Sequence, residues 1–300
     1  VRTRTGGRWV ITAGRRFQVR DDTALKGFLG TATPTQDPEL VSQSWLALFP
    51  AGTPIDFHSP TGLNSAAPTD LPSGLNRIGT VVRTTDGDGQ RYVVTAQGLA
   101  PVTETVADVL MSDPRDQQNR GGARPISLAA TSQATTAAPY GPADWPARPV
   151  TVRDTGAAQT VCAQDPVALG AAGGPVVSVS AGLPDADAAR SRVRVPAGAG
   201  QDGADDVFVK PGLGAMAQAV SGAGAQAGPV YLISSAGTRF QLVPPDPDPN
   251  ATGSQPTLQD TLSQLGFASP PIRVSAAWLA FLPTGQQLNH SRAVLLGAGG

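Results

Sequence analysis

The sequence predicts an α+β protein in which small repeated modules flank a β-rich central domain. Three observations carry this. One hairpin pattern occurs near both ends of the chain. A short helical stretch and a tryptophan-bearing segment follow it each time. A region of short strand-like runs with few helix signals lies between the copies.

The hairpins come first. Residues 9–19 read WVITAGRRFQV and residues 231–243 read YLISSAGTRFQLV. Each opens on an aromatic, alternates, turns at Gly14 or Gly237, and resumes with Arg-Phe-Gln-aliphatic. Period-two apolar positions around a glycine turn predict two antiparallel strands. Phe17 and Val19 then share one face, as do Phe240 and Leu242.

A helix is predicted after each hairpin. In the first copy it is TALKGFLG, stopped by Gly30. In the last it is TLQDTLSQLGF, with Leu258, Leu262 and Leu265 at helical spacing and Gly266 as the stop. The closest match comes next. Residues 40–54 read LVSQSWLALFPAGTP and residues 272–286 read IRVSAAWLAFLPTGQ. Trp45 aligns with Trp278, Pro50 with Pro283, and Gly52 with Gly285. The pattern predicts a short apolar helix ending at Pro-x-Gly. The last copy carries extra residues in VPPDPDPNATGSQP, an exposed loop by composition.

A weaker copy lies between them. RYVVTAQGLAPV (91–102) supplies strand, Gly98 turn and strand; ETVADVLMSD (104–113) supplies the helix. ARPISLAATSQA (123–134) stands where the tryptophan segment belongs, without the tryptophan. Residues 145–228 differ: WPARPVTVRD, QTVCAQ, GPVVSVSAG, SRVRVPAG and DDVFVKPG read as strands, and GLGAMAQAVS as one or two helical turns. AGAGQDGADD and SGAGAQAG read as surface loops.

Composition narrows the function classes. The 300 residues are 40% hydrophobic and 15% charged, with net charge −1. No overall field selects nucleic acid or anionic lipid. Lys26 and Lys210 stand against twenty arginines, a mark of a GC-rich source rather than of a mechanism. Gly and Pro, at 35 and 28, predict many turns. Cys162 is alone, so an internal disulfide or multi-cysteine zinc site is excluded within these residues. No apolar run has the length of a membrane span, and VRTRTGG has no signal-peptide core. The chain reads as part of something longer.

Candidate chemistry is sparse. Neither lysine follows a glycine, so no Walker A loop is present. Gly198, Gly200 and Gly203 form a GxGxxG, but a strand-like run follows it where a pyrophosphate needs a helix. His58 and His290 lack a second ligand at helical spacing. DGDG (86–89) and DPDPN (246–250) do not complete a calcium loop, and DGDG suits a hairpin turn. There is no GxSxG elbow, and no carboxylate pair is singled out for glycoside cleavage. Trp9, Trp45, Trp145, Trp278, Tyr92, Tyr140 and Tyr231 offer either module cores or a glycan- or protein-binding surface. No catalytic, cofactor or metal residue is therefore assigned.

Together the motifs resemble the EccB family of type VII (ESX) secretion. SAGTRFQL (235–242), LSQLGF (262–267) and WLAFLPTGQQL (278–288) are similar to the family's closing pattern. GTVVR (79–83), RYVVTAQGLAPVTETVADVLMSD (91–113), ADWPARPVTV and TVCAQ match its middle. The blocks VRVPAGAG and VFVKPGLGAMAQA then continue it in order, so the resemblance covers almost the whole chain.

The resemblance implies a quasi-two-fold, elongated fold with a β-rich core and four modules. By it, residues 1–65 are the second module, 76–142 the third, 143–228 the core and 229–300 the fourth. It implies a scaffold subunit on the extracytoplasmic (periplasmic) side of the plasma membrane. A single N-terminal helix, absent from this sequence, would be its anchor. Implied partners are EccC-, EccD- and EccE-like subunits, further copies of the chain, and peptidoglycan. The alternatives are a nucleotide hydrolase, by a label some family members carry, and a peptidoglycan-binding wall anchor. Family members pair a second cysteine with the core cysteine, so Cys162 resembles half of a disulfide whose partner lies outside this chain. Trp45, Trp278, Pro50, Pro283, Gly52 and Gly285 are the module signature.

Overall fold

In chain order the elements are β1 (Arg2–Thr3), β2 (Trp9–Thr12), β3 (Arg15–Gln18), α1 (Asp22–Leu29), β4 (Leu40–Val41) and α2 (Gln43–Ala47). Next come β5 (Val81–Thr84), β6 (Arg91–Thr95), β7 (Gly98–Val102), α3 (Glu104–Met111), β8 (Arg124–Ile126) and α4 (Leu128–Gln133). Short strands β9 (Thr160–Gln164), β10 (Val176–Ser180), β11 (Val193–Arg194) and β12 (Asp206–Val207) follow. The chain closes with β13 (Ala215–Val220), β14 (Val230–Ile233), β15 (Arg239–Leu242), α5 (Leu258–Gln264), β16 (Ile272–Ser275) and α6 (Ala276–Leu279). This computed structural model describes residues 1–30, 37–67, 70–86, 89–153, 159–165, 174–182, 193–194, 204, 206–210, 212–221, 228–246, 257–267 and 269–289. It is an α+β fold, rich in sheet and with short helices.

Contacts divide the chain into two compact units. One holds Val1–Val41 and Pro50–Thr155; the other holds Ser42–Phe49 and Gly156–Gly300. In the first, β5, β6, β7 and β8 form a sheet of order β7-β6-β5-β8. In the second, β13 to β16 form one of order β15-β14-β13-β16. The recipe is the same: an antiparallel meander of three strands, a helix, then a fourth strand parallel to the first. The first module follows it in shortened form, with β2 and β3 antiparallel and β1 parallel to β4.

Helix starts are set by short polar side chains. Asp21 accepts from the backbone N–H groups of Thr23 and Ala24, and Thr103 from that of Val106. Thr257 and Asp260 form a reciprocal capping box. Such a cap contributes about 1 kcal/mol by pairing N–H groups that the helix itself cannot satisfy. Ser42 and Ser127 cap α2 and α4 in the same way.

The first unit's core forms where α1 meets α3. Phe17, Phe28, Ile55, Val81, Val93, Val109 and Trp145 share one cluster. Gly27 is the contact point. A Cβ there would sit 2.6 Å from the Val109 Cα and 2.7 Å from the Asp108 carbonyl oxygen. Only glycine lets the two backbones approach this closely. Phe28 and Phe17 have no exposed surface. Burying such a side chain contributes roughly 1.5–3 kcal/mol.

Two expectations change. The alanine-rich GLGAMAQAVS is not a helical turn: residues 215–220 form β13, between β14 and β16. Alanine favours a helix intrinsically, but here the sheet takes two ladders from this segment and buries Ala217 and Ala219 against Leu279. β13 thus joins β14, β15 and β16 in one four-stranded sheet. WPARPVTVRD forms no strand over residues 145–153, where Pro146 and Pro149 remove ladder donors.

Candidate functional site

The module signature is a packing device. In the first module Arg16 N–H donates to the Pro50 carbonyl, and Gly52 N–H donates back to Arg16. In the last, Arg239 N–H donates to the Pro283 carbonyl, and Gly285 N–H donates to Arg239. The segment after the second helix thus returns as a strand parallel to the hairpin's outer strand. A Cβ on Gly52 would overlap the Phe17 ring, and one on Gly285 the Phe240 ring. Each glycine is therefore a seat for the phenylalanine read from the hairpin motif.

The equivalences extend to the partners. Arg16 lies over the Trp9 ring and Arg239 over the Tyr231 ring, each 5.5 Å from the centroid. Trp45 and Trp278 are both half-buried, on α2 and α6. The Trp45 ring lies 5.1 Å from that of Phe49. Neither tryptophan sits at the centre of a core.

The first unit also carries a polar clamp that no local pattern announces. Thr53 N–H donates to Asp144 (2.8 Å), and the Trp145 indole N–H donates to the Thr53 carbonyl (3.0 Å). The Tyr140 hydroxyl donates to the His58 carbonyl at 2.8 Å. The His58 ring lies edge-on to Trp145 at 5.3 Å, and its Nε2 is 3.1 Å from the Pro54 carbonyl oxygen. Trp145 also meets Phe28 edge-on at 5.2 Å. Residues 53–58, which leave the first repeat, are thus held by residues 140–145, which leave the next.

A second tie lies nearby. Asp113 accepts from the Ser59 hydroxyl, from the Arg115 backbone N–H at 2.9 Å and from the Arg115 guanidinium at 2.8 Å. Asn64 donates to the Arg115 carbonyl and accepts from Gln117 N–H. Burial pushes the Asp113 carboxyl up, but the hydrogen bonds from Arg115 and Ser59 outweigh it and hold it below its ordinary value. Buried Asn119 accepts from Val81 N–H and donates to the Gly79 carbonyl, both at 2.8 Å. It also donates to Asp116. Burial raises the Asp116 carboxyl despite that bond. Burial likewise raises Asp108, against the pull of Arg91 at 2.6 Å.

Several candidate residues resolve differently. His58 is occupied by structural contacts, while His290 and the GxGxxG glycines lie outside the described residues. So do Gly87 and Asp88 of DGDG and residues 247–250 of DPDPN. Cys162 is a partly buried free thiol on β9, opposite Ser178 of β10. Among the described residues no cluster of three His, Cys, Asp or Glu is placed to hold a metal ion. None of their helices is long and apolar enough to cross a membrane. The polar ties fix residues 53–64 against residues 113–145.

Three solved structures share the fold. They are the periplasmic assembly from the ESX-5 inner membrane complex, the EccB3 dimer from the ESX-3 core complex, and an intact ESX-5 inner membrane complex. Identities are 20%, 20% and 19%, with TM-scores of 0.67, 0.72 and 0.66. The matches cover 96%, 98% and 96% of this chain, and 66%, 71% and 57% of those chains. The chain thus spans about two thirds of the first structure's length. No curated protein matches the sequence. A family model described as "Type VII secretion system ESX-1, transport TM domain B" matches residues 1–297, and the chain therefore belongs to the EccB family of the type VII secretion membrane complex.

Proposed function

We propose that the chain is a periplasmic scaffold of a type VII secretion complex, which supports protein export by holding other subunits in place. The observation that carries this reading is the clamp of Thr53 and His58 by Tyr140, Asp144 and Trp145. It joins residues about ninety positions apart, with |i−j| of 91 and 92 for the two Thr53 bonds. Such ties spend polar side chains on rigidity. The chemistry suits a part that transmits load rather than one that turns over substrate.

In this reading EccC-, EccD- and EccE-like subunits and further copies of the chain are the partners. A single N-terminal membrane helix outside this sequence anchors it. The blocks 1–65, 76–142 and 229–300 act as modules around a core at 143–228, and Cys162 pairs with a cysteine outside this chain. Affinity purification of the tagged full-length protein from native membranes, with mass spectrometry of what accompanies it, tests the reading. Recovery of the three subunit types is expected. Their absence from a folded, membrane-extracted protein would overturn it. Phosphate release abolished by one point mutation would favour the nucleotide hydrolase instead, and co-sedimentation with purified sacculi the wall anchor.

A further inference from the structure

We draw no further inference here: the strongest candidate, the two-stranded β9–β10 ribbon on which Val176 and Val177 are exposed, carries none, because nothing in the structure shows what covers it.

Discussion

Where the first and last modules place Phe17 and Phe240, the middle one places Ala100. Opposite those phenylalanines stand Gly52 and Gly285; opposite Ala100 stands Ala137. The return strand makes the same three backbone hydrogen bonds in all three: Arg16, Leu99 and Arg239 donate to Pro50, Thr135 and Pro283; Gly52, Ala137 and Gly285 donate back to Arg16, Leu99 and Arg239; and Ile55, Tyr140 and Leu288 donate to Gln18, Pro101 and Gln241. What varies is how volume is split across one pair of strands. A large ring needs a bare backbone beneath it, while two methyl groups share the same space. The difference teaches that the module is defined by its ladder and by a fixed local volume, not by its aromatic signature.

This comparison can be broken directly. Phe17→Ala should cost about 3–5 kcal/mol, and Gly52→Ala about 1–3 kcal/mol through overlap with the ring. Together they install the middle module's Ala/Ala pair, so the double variant should be at least ~1 kcal/mol more stable than the sum. Denaturant unfolding of the four proteins measures this. Additive losses would show that the two positions do not share a volume.

The middle module also has a support of its own. Asn119→Ala leaves the buried Val81 N–H and Gly79 carbonyl without partners. The expected loss is about 2–4 kcal/mol, with hydrogen exchange fastest to rise in β5. Unchanged protection of the Val81 amide would mean that water replaces the side chain.

Helix crossings sharpen the contrast further. Counted from their caps, Gly27, Val109 and Ser263 occupy the same helix position. Gly27 and Val109 meet each other, whereas Ser263 is exposed. Gly27→Ala should cost about 1–3 kcal/mol by forcing α1 from α3. Ser263→Ala should stay within about 0.5 kcal/mol. Equal effects would remove the distinction.

The smallest effect is electrostatic. The Asp113 carboxyl is held below its ordinary value when folded. Its contribution is therefore present above the ordinary aspartate range and is lost as pH falls through the folded value. Asp113→Asn should lower stability at neutral pH, and the gap to the unaltered protein should close under strong acid. Asp108 and Asp116 are raised and carry the opposite sign: acidification through their range favours the fold. A gap that stays constant with pH would mean that Asp113 acts through shape alone.

These contrasts explain what could be read from the residues. Both Arg-Phe-Gln hairpins, the helix stops at Gly30 and Gly266, and the helix at residues 104–111 follow from local pattern. The middle copy looked faint because Ala100 and Ala137 erase the Phe and Gly landmarks while leaving the ladder intact. β13 was hidden because its alanines speak for a helix, and only its two neighbouring strands decide otherwise. The Ser59–Asp113 tie has |i−j| of 54, and no periodicity reports a contact at that range. In the central region residues 154–158, 166–173, 183–192 and 195–203 lie outside the described residues.

The parallel strand that closes each module has a further consequence, for the order in which the chain folds. The hairpins β6–β7 and β14–β15 close through short turns, but Val82 must find Arg124, and Ala217 must find Ile272. These pairings come late, because a long loop must lose its freedom before the ladder rewards it. Loop-closure entropy, however, grows only as the logarithm of length, about 0.6 kcal/mol per doubling. The extra residues of VPPDPDPNATGSQP, which lie inside the last module's loop, therefore slow closure more than they weaken the finished fold.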